Sequence, residues 1–386
     1  MANEEALRIQ ALSMYMEGIP VTSIAMELGR SRQWVHKWIK RHESESETWN
    51  ISKSNAPHSH PNKISIEMEE QIIATRQELM DSPYFETGAH DIWHKLNDAG
   101  VTPPSVSSIN RILNRHKLSK RKIRYQKSNL EYPKMPLDVQ IMDLIGPRYI
   151  HGGERYYILT IISNDTRHAG VFPILSKSGS DITQSIVNFW KEYRVPSFLQ
   201  MDNELSFRGS NRHPRGLGIL LRTAMQFNVV PIFIPIGEPW RNGVIERFNQ
   251  KVSKTLLVQK HNSFEDLLLH ASEFVSVHNK YHHYSTMKQK SPLELDMLLD
   301  FSNQSIPSCY QVTERPIIDK NNRNEIRFIR LVRSNLIINV LNTDIKVKQE
   351  LMHTYVEAHL LINEHKLLIK LDNKTVQEMD FKMPLI

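Results

Sequence analysis

The strongest constraint on the fold is a change of hydrophobic period near residue 137. Before this point apolar residues recur at helical spacing, whereas after it short β-rich runs alternate with amphipathic helical segments. The β-rich runs are 139–145, 156–163, 169–175, 198–201 and 229–234, and the helical segments are 181–193, 217–227, 242–259 and 264–281. Three successive strands followed by alternating helices and strands predict an α/β core over 132–300 with a mixed five-stranded sheet.

The first 45 residues predict an all-α domain. Apolar residues indicate helices over 5–16, 21–28 and 32–41, and Gly18 and Gly29 provide the turns between them. This pattern is typical of a helix-turn-helix DNA-binding domain, although any small three-helix bundle also fits it. Four polar side chains of the third helix are expected to contact DNA: Arg32, Gln33, His36 and Lys37.

A second helical unit is predicted over 62–128, with helical segments at 66–79, 89–99 and 106–116. It fits another helix-turn-helix or winged DNA-binding unit, and it also fits a plain helical spacer. The unit ends in a basic stretch that contains no acidic residue from Arg111 to Lys127. Such a stretch would neutralise DNA phosphates. The predicted contacts within it are Lys120, Arg121, Lys122 and Arg124.

Short strands return after residue 307. The runs 326–331, 335–340, 355–362 and 366–371 are β-rich and separated by turn residues. They predict a small β-barrel over 310–386. The chain is therefore expected to be multidomain: an all-α helix-turn-helix domain at 1–45, the helical unit, the α/β core and a C-terminal β-barrel.

Composition narrows the class of protein. The 386 residues are 40% hydrophobic and 24% charged with a net charge of +7, which indicates a globular protein with a modest preference for polyanions. A single cysteine, Cys309, excludes an intramolecular disulfide and a cysteine-based zinc site. No apolar stretch is long enough to span a bilayer and no secretory signal is visible, so we expect a cytoplasmic protein without a membrane partner.

Three acids stand out by position. Asp143 interrupts an apolar strand, Asp202 follows the end of another, and Glu246 lies one turn into a helix. Cleaving a phosphodiester in line requires activation of a nucleophile and stabilisation of the departing oxygen, which two Mg²⁺ ions about 3.5–4 Å apart accomplish. Because Mg²⁺ prefers oxygen ligands and keeps several waters, three carboxylates suffice. We expect Asp143 to bridge two ions, with Asp202 and Glu246 each bound to one.

The residues around these acids resemble a known family. MDLIGP, MDNE and PWRNGVIERFN are similar to the three catalytic blocks of the retroviral-integrase-like core in bacterial insertion-sequence transposases, the DDE superfamily. The N-terminal helix-turn-helix, the core and a β-rich tail containing RFIRLV also lie in the expected order. The resemblance implies an RNase H-like core in which Asp143, Asp202 and Glu246 are catalytic and metal-binding.

The sequence departs from integrases at two points. The second and third acids are farther apart than is usual, and we interpret 207–218 as an arginine-rich, DNA-contacting insertion. Integrases often place lysines one and two turns after the glutamate, where this chain has Gln250 and Ser253. The remaining predicted DNA contacts are Arg208, Arg212, Arg215, Arg241, Arg247, Lys251 and Lys254.

Other conspicuous side chains receive plainer interpretations. Trp240 is expected to pack inside the protein. His278, His282 and His283 lie close together, but without a cysteine or an evident fourth ligand they are interpreted as surface or DNA-contacting residues rather than metal ligands.

The sequence thus predicts a Mg²⁺-dependent DNA transposase or integrase, with Mn²⁺ able to replace Mg²⁺. Its partners would be double-stranded DNA, both element ends and target, and further copies of itself assembled on that DNA. Two alternatives stay open: a DNA-binding regulator without activity, and a nuclease of the same fold without strand transfer.

Overall fold

The computed structural model describes residues 2–44, 48–52, 64–119, 130–150, 153–209, 215–299 and 306–384. The chain divides into two compact units, Met1–Ile64 and Ser65–Ile386. No helix in these described ranges combines the length and the apolar character needed to cross a bilayer.

The first unit contains three helices, α1 (Ala2–Met16), α2 (Val21–Glu27) and α3 (Arg32–Ser44). Gly18 and Gly29 follow α1 and α2 with φ angles of 86° and 61°, a left-handed conformation that glycine adopts without steric cost. Ile24 and Val35 are fully buried between the helices. The predicted N-terminal all-α helix-turn-helix is confirmed.

The second unit begins with helices α4 (Ile66–Asp81), α5 (Ala89–Asp98) and α6 (Val106–Arg115). The Ser65 and Ser105 side chains cap α4 and α6 by accepting hydrogen bonds from backbone amides of the first turn. Between α4 and α5, the buried Tyr84 packs edge-on against Phe274 with ring centroids 5.9 Å apart. This helical segment is therefore packed against the α/β core.

The α/β core follows the predicted element order. Its elements are β1 (Val139–Tyr149), β2 (Arg155–Ser163), β3 (Ala169–Ile174), α7 (Gly179–Glu192), β4 (Phe198–Met201), α8 (Leu205–Arg208), α9 (Ile219–Gln226), β5 (Val230–Phe233), α10 (Gly243–Thr255), α11 (Phe264–Tyr281) and α12 (Pro292–Asp296). The C-terminal strands are β6 (Glu325–Leu331), β7 (Ile337–Val340), β8 (Thr343–Lys346), β9 (Tyr355–Leu361), β10 (Lys366–Leu371) and β11 (Lys374–Asp380).

The predicted five-stranded sheet is wrong in size. The described strands form a nine-stranded sheet in the order β11-β10-β9-β6-β5-β4-β1-β2-β3, with β7 and β8 as a separate hairpin. Strand β6 pairs in parallel with β5, where Ile232 lies opposite Arg327 and Phe233 opposite Phe328. This pairing covers the edge of β5, whose backbone groups would otherwise lack partners on that side. The predicted C-terminal β-barrel is not confirmed, because four of its strands extend the core sheet.

Residues on the two faces of the sheet alternate with a period of two. In β1, Met142 packs with the buried residues of α7 and α9, whereas Ile141 packs with those of α10 and α11. The first of these clusters continues without interruption into C-terminal residues such as Phe328 and Leu360. The C-terminal strands therefore share one hydrophobic core with the α/β core. Asp143 lies on the Ile141 face, toward α10.

Candidate active site

The parallel pairing of β1 with β4 brings two predicted catalytic acids to the same end of the sheet. Ile141 of β1 lies opposite Gln200 of β4. Continued by two residues, the same register sets Asp143 opposite Asp202, the first residue after β4. Because residues two apart on a strand share a face, the register favours carboxylates that meet on the α10 side.

A hydrogen-bond network ties Asp143 to α10. Its Oδ1 accepts a hydrogen bond from the Leu144 amide (2.8 Å), and its Oδ2 accepts one from Asn249 Nδ2 (2.7 Å). The Thr160 hydroxyl, on the neighbouring strand β2, donates to Asn249 Oδ1 (2.7 Å). Asn249 thus orients the Asp143 carboxylate and fixes α10 against the sheet at the same time.

Negative charge is concentrated at this end of the sheet. The pKa of Asp143 is raised to about 6, chiefly by burial; the charges of Asp202, Glu204 and Glu246 add to this rise, and a backbone hydrogen bond opposes it. Burial also raises the pKa of Asp202, although its Oδ1 accepts a hydrogen bond from the Glu204 amide (3.0 Å). The acids repel one another, and this repulsion favours binding of a cation.

Glu246 reaches this region from the first turn of α10. A 3-10 turn, Pro239–Asn242, leads directly into the helix. Glu246 is half-buried and lies three residues before Asn249, on the same helix face. The charge of Glu246 contributes to the raised pKa of Asp143.

The donor set fits Mg²⁺. All three candidate ligands are carboxylates, and among the described residues none of the three has a Lys, Arg or His nitrogen within 4.0 Å. Their oxygen atoms do not all lie within 4.8 Å of one another, unlike two other groups in the described part of the chain. Carboxylate oxygens are the ligands that Mg²⁺ prefers, and it keeps several waters beside them.

The loops that carry Asp202 and Glu246 are held by the C-terminal strands. After Asp202, Asn203 Oδ1 accepts a hydrogen bond from Arg330 of β6 (2.8 Å). Before Glu246, Arg241 donates to Glu238 (3.1 Å) and to the Tyr355 hydroxyl of β9 (2.8 Å). Both loops therefore depend on side chains far along the sequence.

The predicted DNA contacts of the first unit lie on one exposed surface. Arg32, Gln33, His36 and Lys37 are all exposed on α3. Val35, Trp38 and Ile39 point to the interior of this unit. The arrangement is that expected of a recognition helix.

The predicted DNA-contacting insertion lies against C-terminal residues where it is described. Arg208 donates to Asn342 Oδ1 (2.8 Å). Arg215 donates to the Lys382 carbonyl (2.8 Å), and its guanidinium lies 4.1 Å from the centre of the Phe381 ring. The other arginine of the insertion and the basic stretch after α6 lie outside the described residues: Arg212, Lys120, Arg121, Lys122 and Arg124.

The basic residues of α10 differ in their accessibility. Arg247 and Lys254 are exposed, whereas Lys251 is only 9% exposed and its Nζ lies 3.6 Å from Glu86 Oε1. Burial lowers the pKa of Lys251. Lys251 therefore interacts with the helical segment rather than with solvent.

A cavity of about 430 Å³ opens beside α10. Four cationic side chains line it together with one acid, Glu86; the cations are Arg167, Arg241, Arg247 and Lys251. This excess of positive charge favours an anionic ligand, and DNA phosphate has the required chemistry.

Two groups of ionisable side chains outside the acid triad have metal-ligand spacing. Glu86, Asp91 and His282 form one, next to Lys251, whose ammonium already supplies a cation. The other consists of His261, Asp266 and His270.

In the group of His261, Asp266 and His270, the Nδ1 atoms of the two histidines lie 3.0 Å apart, and His270 Nε2 lies 3.4 Å from Asp266 Oδ1. His270 contacts both neighbours through its two ring nitrogens, so this group is also satisfied without a metal.

Two interpretations from the sequence are wrong. Trp240, expected to pack, is 60% exposed at the entrance to α10. His278, expected at the surface, is 1% exposed, and His282 is also largely enclosed, so that burial lowers the pKa of both.

Sequence reasoning also missed Asn249 and Arg330. A detectable signal existed for each: Asn249 lies one helical turn after Glu246, and Arg330 interrupts the apolar strand RFIRLV as Asp143 interrupts β1.

Comparison with family models identifies the class of two segments. Residues 2–48 match a homeodomain-like domain, and residues 228–292 match an integrase core domain. The second match contains Glu246 and Asn249 but ends before the C-terminal strands and begins after both aspartates. The chain therefore contains one segment similar to a homeodomain-like domain and one segment similar to an integrase core domain. Together the two confirm the predicted resemblance to DDE transposases and integrases.

Solved structures of retroviral integrases show a distant likeness. The HTLV-2 integrase catalytic core domain in complex with magnesium, in its trimeric form, is 11% identical; the match covers 42% of this chain and 97% of that chain, with a TM-score of 0.33. The simian T-cell lymphotropic virus intasome in complex with a PP2A regulatory subunit is 14% identical, covering 76% and 97%, with a TM-score of 0.36. TM-scores this low do not establish a shared fold.

Proposed function

We propose that the chain is a DNA transposase or integrase that cleaves element ends and transfers them into target DNA. The observation that carries this proposal is the set of acids at the end of β1 and β4. Asp143 in β1 and Asp202 directly after the parallel strand β4 lie at the same end of the sheet, and the charge of Glu246, in the first turn of α10, adds to the raised pKa of Asp143. The integrase-core match and the homeodomain-like match support it.

In this proposal Asp143, Asp202 and Glu246 would hold the Mg²⁺ ions through their carboxylates. Bound there, the ions supply activation of a water or a 3′-hydroxyl and stabilisation of the departing oxygen, and Mn²⁺ can replace Mg²⁺. Asn249 keeps the Asp143 carboxylate oriented through its 2.7 Å hydrogen bond. Arg247 and Lys254, both exposed on α10, bind DNA phosphates beside the reacting bond.

The exposed side chains of α3 recognise the element ends, and two copies of the chain hold the two ends together. Concentrated negative charge at the site would repel DNA without metal ions, so cleavage requires them. The reaction needs no covalent intermediate with the protein.

The test uses a labelled duplex that carries the inverted repeat flanking the coding sequence, a shuffled duplex and an unlabelled target. Joined products support the proposal, cut products alone mean a nuclease, and binding alone means a regulator. Asp202→Asn should abolish cutting and joining while DNA binding is retained. Asp181→Asn, the same change at an exposed acid of α7, is the matched control and should leave both reactions intact.

A further inference from the structure

Arg330 is a buried cation at the junction between β6 and the loop that carries Asp202. It is 5% exposed, and burial lowers its pKa to about 9. Among the described residues no carboxylate lies within ion-pair distance of its guanidinium. A buried charge without a counter-ion is costly, so its hydrogen bonds must compensate for the lost hydration.

The acceptors of Arg330 come from its own strand and from three other segments. Its Nη1 donates to the Ile234 carbonyl and to the carbonyl of Ile329, the residue before Arg330, both at 2.9 Å. Its Nε donates to the Asn339 carbonyl (2.8 Å). Its Nη2 donates to Asn203 Oδ1 (2.8 Å). The planar fork of arginine reaches all of these acceptors at once, which a lysine ammonium cannot do.

Asn203, Arg330 and the Ile234 carbonyl form a closed triangle of hydrogen bonds. Its Nδ2 donates to the same Ile234 carbonyl (2.7 Å) that accepts from Arg330. The amide orientation is unambiguous because arginine only donates and a carbonyl only accepts. The peptide after Asp202 is thereby fixed to the end of β5, from which the chain continues toward Glu246.

We propose that Arg330 is a positioning residue for Asp202, acting through Asn203. This inference rests on the proposed function, because it assumes that Asp202 is a metal ligand. The C-terminal strands then belong to the catalytic architecture: they supply the side chain that fixes the second acid opposite Asp143. Lysine should not replace Arg330 in positioning Asp202, because the three N–H donors of lysine lie on one nitrogen and cannot reach acceptors that are spread over these segments.

The experiment compares full-length Arg330→Met, Asn203→Ala and the double variant with the wild type. Arg333→Met is the matched control, since Arg333 is exposed in the same C-terminal segment. Mn²⁺ binding to the DNA-free protein is measured by electron paramagnetic resonance, and the Mg²⁺ concentration for half-maximal DNA cleavage is measured in parallel. Thermal unfolding monitors folding.

Both single variants should bind Mn²⁺ about 10-fold or more weakly and require correspondingly more Mg²⁺, with unchanged DNA affinity. The double variant should be no worse than the more affected single variant, because both act on one element. If Arg330→Met loses its fold, Asn203→Ala carries the test. Wild-type Mn²⁺ binding by Asn203→Ala, or additive losses in the double variant, would overturn the inference.

Asp202→Asn separates this inference from the proposed function. If Asp202→Asn binds Mn²⁺ as the wild type does, the acids are not the metal site and both fail. If Asp202→Asn loses binding while Asn203→Ala retains it, only the role of Arg330 fails.

Discussion

Replacing Asp143 by asparagine should stabilise the metal-free protein while abolishing catalysis. The pKa of Asp143 is raised from 3.8 to about 6, chiefly by burial. A shift of this size means that the ionised carboxylate costs the fold about 3 kcal/mol at pH 8. The isosteric amide removes this cost but presents a donor to Asn249 Nδ2, with a loss of about 1 kcal/mol. The expected net gain is therefore about 2 kcal/mol, or roughly 4 °C in Tm.

The stability gained by Asp143→Asn should depend on pH. A carboxylate whose pKa is raised in the folded state destabilises the fold when it is ionised. That cost is fully present above the folded pKa of about 6, declines as the pH falls, and is gone below the unfolded value of 3.8. The advantage of Asp143→Asn over the wild type should therefore be largest at pH 8 and should disappear near pH 4.5, where the remaining cost roughly equals the lost hydrogen bond.

Thermal unfolding in EDTA at pH 8 and at pH 4.5 measures this difference. Added Mg²⁺ should then raise the Tm of the wild type but not that of Asp143→Asn, because only the carboxylate binds it. Asp181→Asn, at an exposed position, should behave as the wild type throughout. A metal-free Asp143→Asn protein that is less stable than the wild type at pH 8, or one stabilised equally by Mg²⁺, would refute the reasoning.

Two further predictions concern α10. Asn249→Ala removes the 2.7 Å hydrogen bond to Asp143 and should slow DNA cleavage about 10- to 100-fold with little change in DNA affinity. Single-turnover experiments measure the cleavage rate, and gel-shift titrations measure the DNA affinity. An unchanged cleavage rate would remove Asn249 from the site. Arg247→Gln removes an exposed charge and should lower the slope of DNA affinity against salt concentration by about one counterion. Lys251→Met removes a charge paired with Glu86 and should leave that slope unchanged. Equal slopes for the two variants would contradict the assignment.

The local pattern of the chain was sufficient to predict the elements up to β5. Strand β2 is buried on both faces and reads as a continuous apolar run, and α7 has a strong apolar stripe. Both signals depend only on neighbouring residues. Because Asp143 breaks such a run, it could be selected as a candidate ligand before any contact was known.

The size of the sheet could not be predicted in the same way. A strand that closes a barrel and a strand that extends a sheet have the same alternation of apolar and polar residues. The deciding contact pairs Phe233 with Phe328, whose rings stack with centroids 5.1 Å apart. Such a pairing between distant segments has no local signal, and the assignment of β6 to a separate barrel followed from sequence order alone.

The sequence also could not show which basic residues are exposed and able to contact DNA. Arg247 and Lys251 lie one helical turn apart in the sequence and carry the same charge, yet one faces solvent and the other is 9% exposed beside Glu86. The partner of Lys251 lies in the helical segment before the core, so no pattern within α10 distinguishes the two. Charge counts predict a preference for polyanions, but only tertiary contacts decide which cations are free to meet them.

The same reasoning explains why the acids were easier to identify than the residues that position them. Asp143 breaks the apolar run of β1 and Asp202 directly follows that of β4, so each acid has a signal within its own strand. Asn203 is instead held by Arg330, across a strand pairing that no local pattern encodes. Catalytic geometry that depends on such a contact can be lost by a change far from the acids in sequence. The C-terminal strands are therefore the place where substitutions outside the motifs should alter metal binding.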